Sequence, residues 1–289
     1  MFRFTSITKK TFSHSLRFLC TRPTKFGIGD VEQFVKVPKR EEYVPRSRHD
    51  DPFLNTMEAR SHLRWMMQKD ELKQDMLLMG ENMGEMRRCV LEWLRLGGRE
   101  YEYVSLSQDT AHEDLRQRRE LCNNSSEFKD QAAVRAAIEG RVLLLEGVDR
   151  VERNILPLLN NLLENREISL EDGRILLPPH RVNTLTNPGN TSPNNNIVAV
   201  HPDFRVIGLM RVHNQPGNSN SVTTQLDPPL RSRFQARFIP SLSASSLLEI
   251  SHSLAPRISK ESPVTLRNFV QVSETLESAE SGNLDNLFF

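Results

Sequence analysis

Residues 141–179 read RVLLLEGVDRVERNILPLLNNLLENREISLEDGRILLPP. Val142 to Leu145 is apolar without a break, the pattern of a strand covered on both faces, and Glu146 stands at its C-terminal end. Val151, Ile155, Leu158, Leu159, Leu162 and Leu163 follow at three- and four-residue spacing, which predicts one apolar face of a helix, interrupted or bent by Pro157. "EISLEDGRILL" then sets two short alternating runs around Asp172-Gly173, a hairpin signal. The stretch therefore holds a carboxylate on the tip of a buried strand, with a helix and a hairpin leaving from it.

Working outward, the same pattern repeats. "MLLMG" (76–80) predicts a short buried strand, and Met86 to Leu96 a helix with Met86, Val90, Trp93 and Leu94 on one face. "YEYVSLS" (101–107) alternates and is rich in aromatic and β-branched residues, so it predicts a second strand. "DTAHEDLRQRREL" (109–121) and "KDQAAVRAAIEG" (129–140) read as helices, the second stopped by Gly140. Residues 180–202 are rich in Asn and Pro and read as a loop, followed by strands at "FRVIGLM" (204–210) and "ARFI" (236–239). Strands alternating with helices imply right-handed crossovers and a parallel sheet, so the fold class is α/β.

Composition bounds the rest. The 289 residues carry a net charge of +1, but the six basic residues before Asp30 exceed that total and leave the remainder near −5. A body of that sign gives no basic surface for phosphate backbones, so nucleic acid is not an expected partner. Three cysteines without C-x-x-C spacing imply neither a disulfide framework nor a zinc site, and no run reaches the roughly 18 apolar residues of a membrane span. Residues 1–27 lack acids and are rich in Ser, Thr, Lys and Arg, with Arg3, Lys10 and Arg17 on one helical stripe and Phe12, Leu16 and Leu19 roughly opposite. That is the composition of a mitochondrial transit peptide. The charged, proline-containing segment 28–58 reads as a linker, and order is expected from Ala59.

In open parallel sheets ligands bind beyond the carboxyl ends of the strands, so the residues past each strand carry the functional question. A carboxylate there can hold Mg²⁺ or orient a water, and a glycine-containing loop opening a helix can cradle phosphates. "LLLEGVDRVERNILPLLNNLLENREISLEDGR", "FRVIGLMRV" and "LDPPLRSRFQARF" together resemble the dynein-related branch of AAA+ ATPases over roughly residues 59–240. The resemblance implies a three-layer P-loop NTPase sandwich, with ATP and Mg²⁺ as cofactors. It also implies ATP hydrolysis coupled to remodelling of a protein partner, self-association as a ring, and, with the N-terminal composition, a place in the mitochondrial matrix.

The motifs depart from that branch at the places where chemistry is done. The phosphate loop G-x-x-x-x-G-K-[ST] is represented by "GENMGEMRR": Gly80 and Gly84 remain, no Lys or hydroxyl follows, and Arg87 and Arg88 stand where the helix opens. Arginine can bind phosphate bidentately but is bulkier than a lysine point charge, while Glu81 and Glu85 add negative charge; a plain strand-to-helix turn is the alternative. Glu146 is the candidate Mg²⁺ ligand and catalytic acid, but Gly147 follows it where a second, water-orienting carboxylate is expected. Asp149 is either its substitute or the cap of the next helix. Arg211 ends the strand where a polar Asn is expected, and either binds phosphate or pairs with Glu146. In "LDPPLRSRF", Arg233 and then Arg231 are the candidates for an arginine finger reaching a neighbouring subunit's nucleotide, their alternative being a local salt bridge. Residues 241–289 are Ser-rich and weakly periodic, enough for a partial lid or a disordered tail. These departures keep open a second function, a non-hydrolysing scaffold or an inactive fragment.

Overall fold

The computed structural model describes residues 3–4, 25–46, 51–122, 125–185, 196–212 and 226–254, with single helical positions between 264 and 275. Strand β1 (Arg3–Phe4) pairs antiparallel with β2 (Lys25–Ile28), which turns at Gly29 into β3 (Val31–Phe34). Helix α1 (Met57–Glu71) starts at Thr56, whose hydroxyl accepts from the Ala59 amide at 3.3 Å. The chain continues through β4 (Met76–Gly80), α2 (Met83–Leu96), β5 (Tyr101–Ser105), α3 (His112–Leu115), β6 (Gln117–Cys122), β7 (Ser125–Asp130), α4 (Ala132–Glu139) and β8 (Val142–Glu146). After these come α5 (Leu156–Glu164), β9 (Ile168–Ser169), β10 (Ile175–Leu177), α6 (Pro179–Leu185), β11 (Ile197–Ala199), β12 (Arg205–Arg211), α7 (Pro228–Ser232), β13 (Gln235–Ile239) and α8 (Ala244–Leu254).

Five strands form one parallel sheet in the order β13-β4-β12-β8-β5. Its apolar runs are continuous because each face is covered by helices. Met76, Leu78, Val142, Leu144, Ile207 and Leu209 pack with Leu63, Met66, Val90, Trp93 and Leu94 of α1 and α2. The alternate residues Leu77, Leu143, Leu145 and Val206 pack with Ala133, Val134, Leu159, Leu162 and Leu230 on the other side. Each fully buried Leu or Val contributes roughly 1.5–3 kcal/mol, so both periodicities are satisfied at once and the sheet is the middle of three layers. The register aligns Ile239 with Gly80, Gly80 with Arg211, Leu209 with Glu146 and Glu146 with Ser105 along one edge.

Four sequence expectations change. The segment read as a linker is folded: Phe26 and Ile28, at the end of the predicted presequence and the start of that linker, lie in the core beside Leu63 and Trp93. Beyond them the chain is tied along the opposite edge of the sheet, with Lys36 N–H donating to the Gly97 carbonyl (2.9 Å), Arg40 N–H to Glu100 (2.7 Å) and Lys36 Nζ pairing with Asp203 (2.6 Å). Its charges looked like a linker because they meet ionic partners instead of an apolar face. The predicted helix over 109–121 is α3 followed by β6, which forms a two-stranded hairpin with β7; with both faces largely in solvent, its residues carry no strand period. The predicted loop over 180–202 holds α6 and β11, which pairs parallel with β10, while 186–195 lies outside the described residues. The helix after Glu146 begins at Leu156, with Pro157 in its first turn, where a missing N–H costs nothing. The Ser-rich tail supplies α8; the hydroxyls of Ser243, just before it, and of Ser246 donate to Glu58 (2.9 and 2.8 Å), and Ile250 packs near Phe53 and Cys89.

Candidate functional site

Only Glu81 and Asn82 separate β4 from α2. Asn82 is the N-cap: its Oδ1 accepts from the Gly84 amide (3.0 Å), and its carbonyl accepts from the Met86 amide (3.3 Å). Its Nδ2 in turn donates to Glu85 Oε1 (2.9 Å), which places a carboxylate in the first turn, where the helix dipole favours negative charge. The Gly84 amide, one of the donors that would face a phosphate, is thus engaged by the chain itself. Gly80 is small for a different reason than a phosphate loop requires: a Cβ there would sit 2.5 Å from the Ile239 carbonyl oxygen. Gly84 lies inside the first turn of α2.

Glu146 does meet a cation at the strand end, and the cation is Arg87. Arg87 Nε donates to Glu146 Oε2 at 2.9 Å and its terminal nitrogen to Oε1, a two-pronged contact of the kind guanidinium makes best. The Tyr103 hydroxyl, from β5, also donates to Oε2 at 3.1 Å. The hydrogen bond to Glu146 pushes the Arg87 pKa up, and burial followed by the same carboxylate raises that of Tyr103. Sequence spacing gave Tyr103 no role; its place opposite Leu144, next to the end of β8, comes from the strand register.

The residue after Glu146 is glycine of necessity. Gly147 has φ +83°, and a Cβ would lie 2.8 Å from the Leu106 carbonyl, so the second acid of the family pattern is excluded in this backbone. Asp149 does not cap α5, whose N-cap is Ile155. It sits in a short 3₁₀ turn, half-buried, with Oδ1 unpaired among the described residues. Arg211 is not the partner of Glu146: its Nε donates to the Glu81 carbonyl (3.1 Å), bracing the β4–α2 connection. Arg88 faces away from Glu146, 3.8 Å from Asp51 and over the Phe53 ring at 5.8 Å. Arg233 is held by Glu164 (3.0 Å from Nε) and by the Pro229 carbonyl, whereas Arg231 is exposed and unpaired among the described residues.

Along the outer face of α2 runs a cleft of about 270 Å³, between that helix and Pro45, Arg46, Asp51 and Leu54. Arg46, Arg87, Arg88 and Arg95 line it against Asp51 and Glu92, and Arg95 is satisfied by Glu92 (2.7 and 2.5 Å). The cleft is cationic on balance and starts beside the Arg87–Glu146 pair.

Residues 75–234, from the start of β4 to the end of the arginine segment, match the AAA domain (dynein-related subfamily) family. The chain belongs to that family. The chain is 45% identical over 263 residues to von Willebrand factor A domain-containing protein 8 of Mus musculus, an alignment that covers 89% of the chain and 13% of that relative. The chain therefore spans about one eighth of the length of the relative it matches. A crystal structure of a protein described as an ATPase from Cytophaga hutchinsonii aligns with a TM-score of 0.43 and 14% identity, over 72% of this chain and 52% of that one.

The AAA family implies nucleotide with its usual metal, and the residues fit the two unequally. Mg²⁺ demands oxygen ligands in near-octahedral array, usually one or two carboxylates with phosphate oxygens and water. In this AAA domain both Glu146 oxygens are taken by Arg87, Gly147 supplies no second acid, and no hydroxyl follows Gly84. Among the described residues no group of three His, Cys, Asp or Glu side chains converges to hold a metal. The divalent ion does not fit this arrangement; a polyanion fits the charge of the α2 cleft.

Proposed function

We propose that this chain is the nucleotide-binding module of an AAA+ assembly that acts on a protein partner in the mitochondrial matrix, and that it binds ATP without appreciable turnover. The observation that carries this reading is the Arg87–Glu146 pair, which keeps the carboxylate at the end of β8 from metal and from water. The self-capped α2 terminus and the enforced Gly147 support it, because each removes a part that phosphoryl transfer uses. The mitochondrial element rests on the acid-free composition of residues 1–27. The test is thermal unfolding with increasing ATP. A ligand that binds only the folded chain raises its stability by about 2.7 kcal/mol at a hundredfold excess over Kd, and Arg88→Ala should reduce the rise. No shift at millimolar ATP would refute nucleotide binding.

A second reading, turnover within a ring, draws support from Arg231. It is exposed, has no partner among the described residues, and is chemically able to serve a neighbour's site. ATP-dependent assembly in sedimentation, with ATPase activity lost in Arg231→Ala, would favour it over the first.

A further inference from the structure

The misfit of Mg²⁺ has a positive counterpart in the same side chains. Glu146 accepts three hydrogen bonds, two from Arg87 and one from Tyr103, so its charge is balanced and both of its oxygens are engaged within the chain. For a divalent cation to enter, Arg87 must leave, and among the described residues no group of three His, Cys, Asp or Glu side chains is placed to compensate for the loss of that bidentate contact. Arg87 also lines the α2 cleft, where Arg46, Arg88 and Arg95 add positive charge against Asp51 and Glu92. Arginine remains charged throughout the useful pH range and matches phosphate oxygens in pairs.

We propose that Arg87 takes the place of the divalent cation, so that this module binds nucleoside polyphosphate in its metal-free form. The inference rests on the nucleotide reading above and deepens it. Metal-free ATP carries more negative charge than its magnesium complex, and a cleft whose positive charge is built from arginines favours the more highly charged form. Magnesium then competes with the protein for the phosphates.

The experiment is ATP titration of the purified chain by calorimetry, once in EDTA and once in excess Mg²⁺, repeated with Arg87→Ala. The expected result is an affinity in EDTA equal to or tighter than that in Mg²⁺ for the native chain. Arg87→Ala, which leaves α2 a good helix former and frees Glu146, should reverse the order, with Mg²⁺ now tightening binding. Mn²⁺ titrated without nucleotide and followed by its paramagnetic resonance should likewise bind Arg87→Ala and not the native chain. Binding by the native chain that disappears in EDTA overturns this inference and leaves the nucleotide reading standing. Absence of ATP binding in both buffers overturns both.

Discussion

Replacing Arg141 by Met should cost this fold about 3 kcal/mol. Arg141 is 1% exposed at the start of β8, under the edge of the sheet opposite Glu146. Its guanidinium donates to Glu100 (2.9 Å), Glu102 (2.5 Å) and Glu139 (2.6 Å) and lies 3.7 Å from the Tyr43 ring. Removing one member of a buried ion pair costs roughly 3–5 kcal/mol, because the remaining charge is left without compensation. Here the remaining acids have other partners: Arg135 holds Glu102 at 2.9 Å, the Arg40 amide holds Glu100 at 2.7 Å, and Glu139 is partly exposed. Those partners put the loss at the lower end of the range, and Met preserves the packing of the side-chain stem. For a domain of this size the loss corresponds to a fall in Tm of about 6–12 °C, measurable by calorimetry and by urea unfolding at unchanged m-value. A loss below about 1 kcal/mol would refute the reasoning, since it would mean that the carboxylates under the sheet are solvated without Arg141.

Gly80→Ala should lower stability by about 1–3 kcal/mol through the clash with the Ile239 carbonyl; a variant that is equally stable yet loses its response to ATP would return Gly80 to a phosphate-binding role. His62, buried beside Arg237, has its pKa pushed down to about 4 by burial and by the guanidinium that donates to its Nδ1 (2.8 Å). The unfolded chain takes up that proton near pH 6.5, so stability falls as pH drops from 6.5 toward 4, by up to about 3 kcal/mol, and His62→Gln should flatten this slope in pH-dependent urea melts. Arg233→Ala should cost up to about 1 kcal/mol by loss of its exposed pairing with Glu164. Arg231→Ala should stay within about 0.5 kcal/mol of the native chain, and equal costs for the two variants would contradict the contrast between a paired and an unpaired arginine.

The sheet was legible because burial on both faces writes itself into sequence as unbroken apolar runs: "VLLLE", "MLLMG" and "FRVIGLM" are β8, β4 and most of β12. Gly140 marked the end of α4 through its left-handed backbone, φ +78°, and Asp172-Gly173 marked the turn between β9 and β10. The N-terminal strands were hidden because none is longer than four residues and their neighbours use charge to bind Asp203 and Glu100. At the site, sequence named Glu146 and Arg87 separately but did not pair them. Their contact joins residues 59 positions apart, and it depends on a short strand-to-helix connection that a motif comparison treats as a damaged loop. Gly147 read as a lost carboxylate, whereas the backbone leaves room for no side chain there.

Glu146 sealed by Arg87 performs no metal-assisted hydrolysis in the function proposed above. This is tested most directly by phosphate release from ATP in the presence of Mg²⁺, measured for the native chain and for Glu146→Gln side by side. Both should remain at the rate of the protein-free control. Clear turnover by the native chain that is abolished in Glu146→Gln would contradict it.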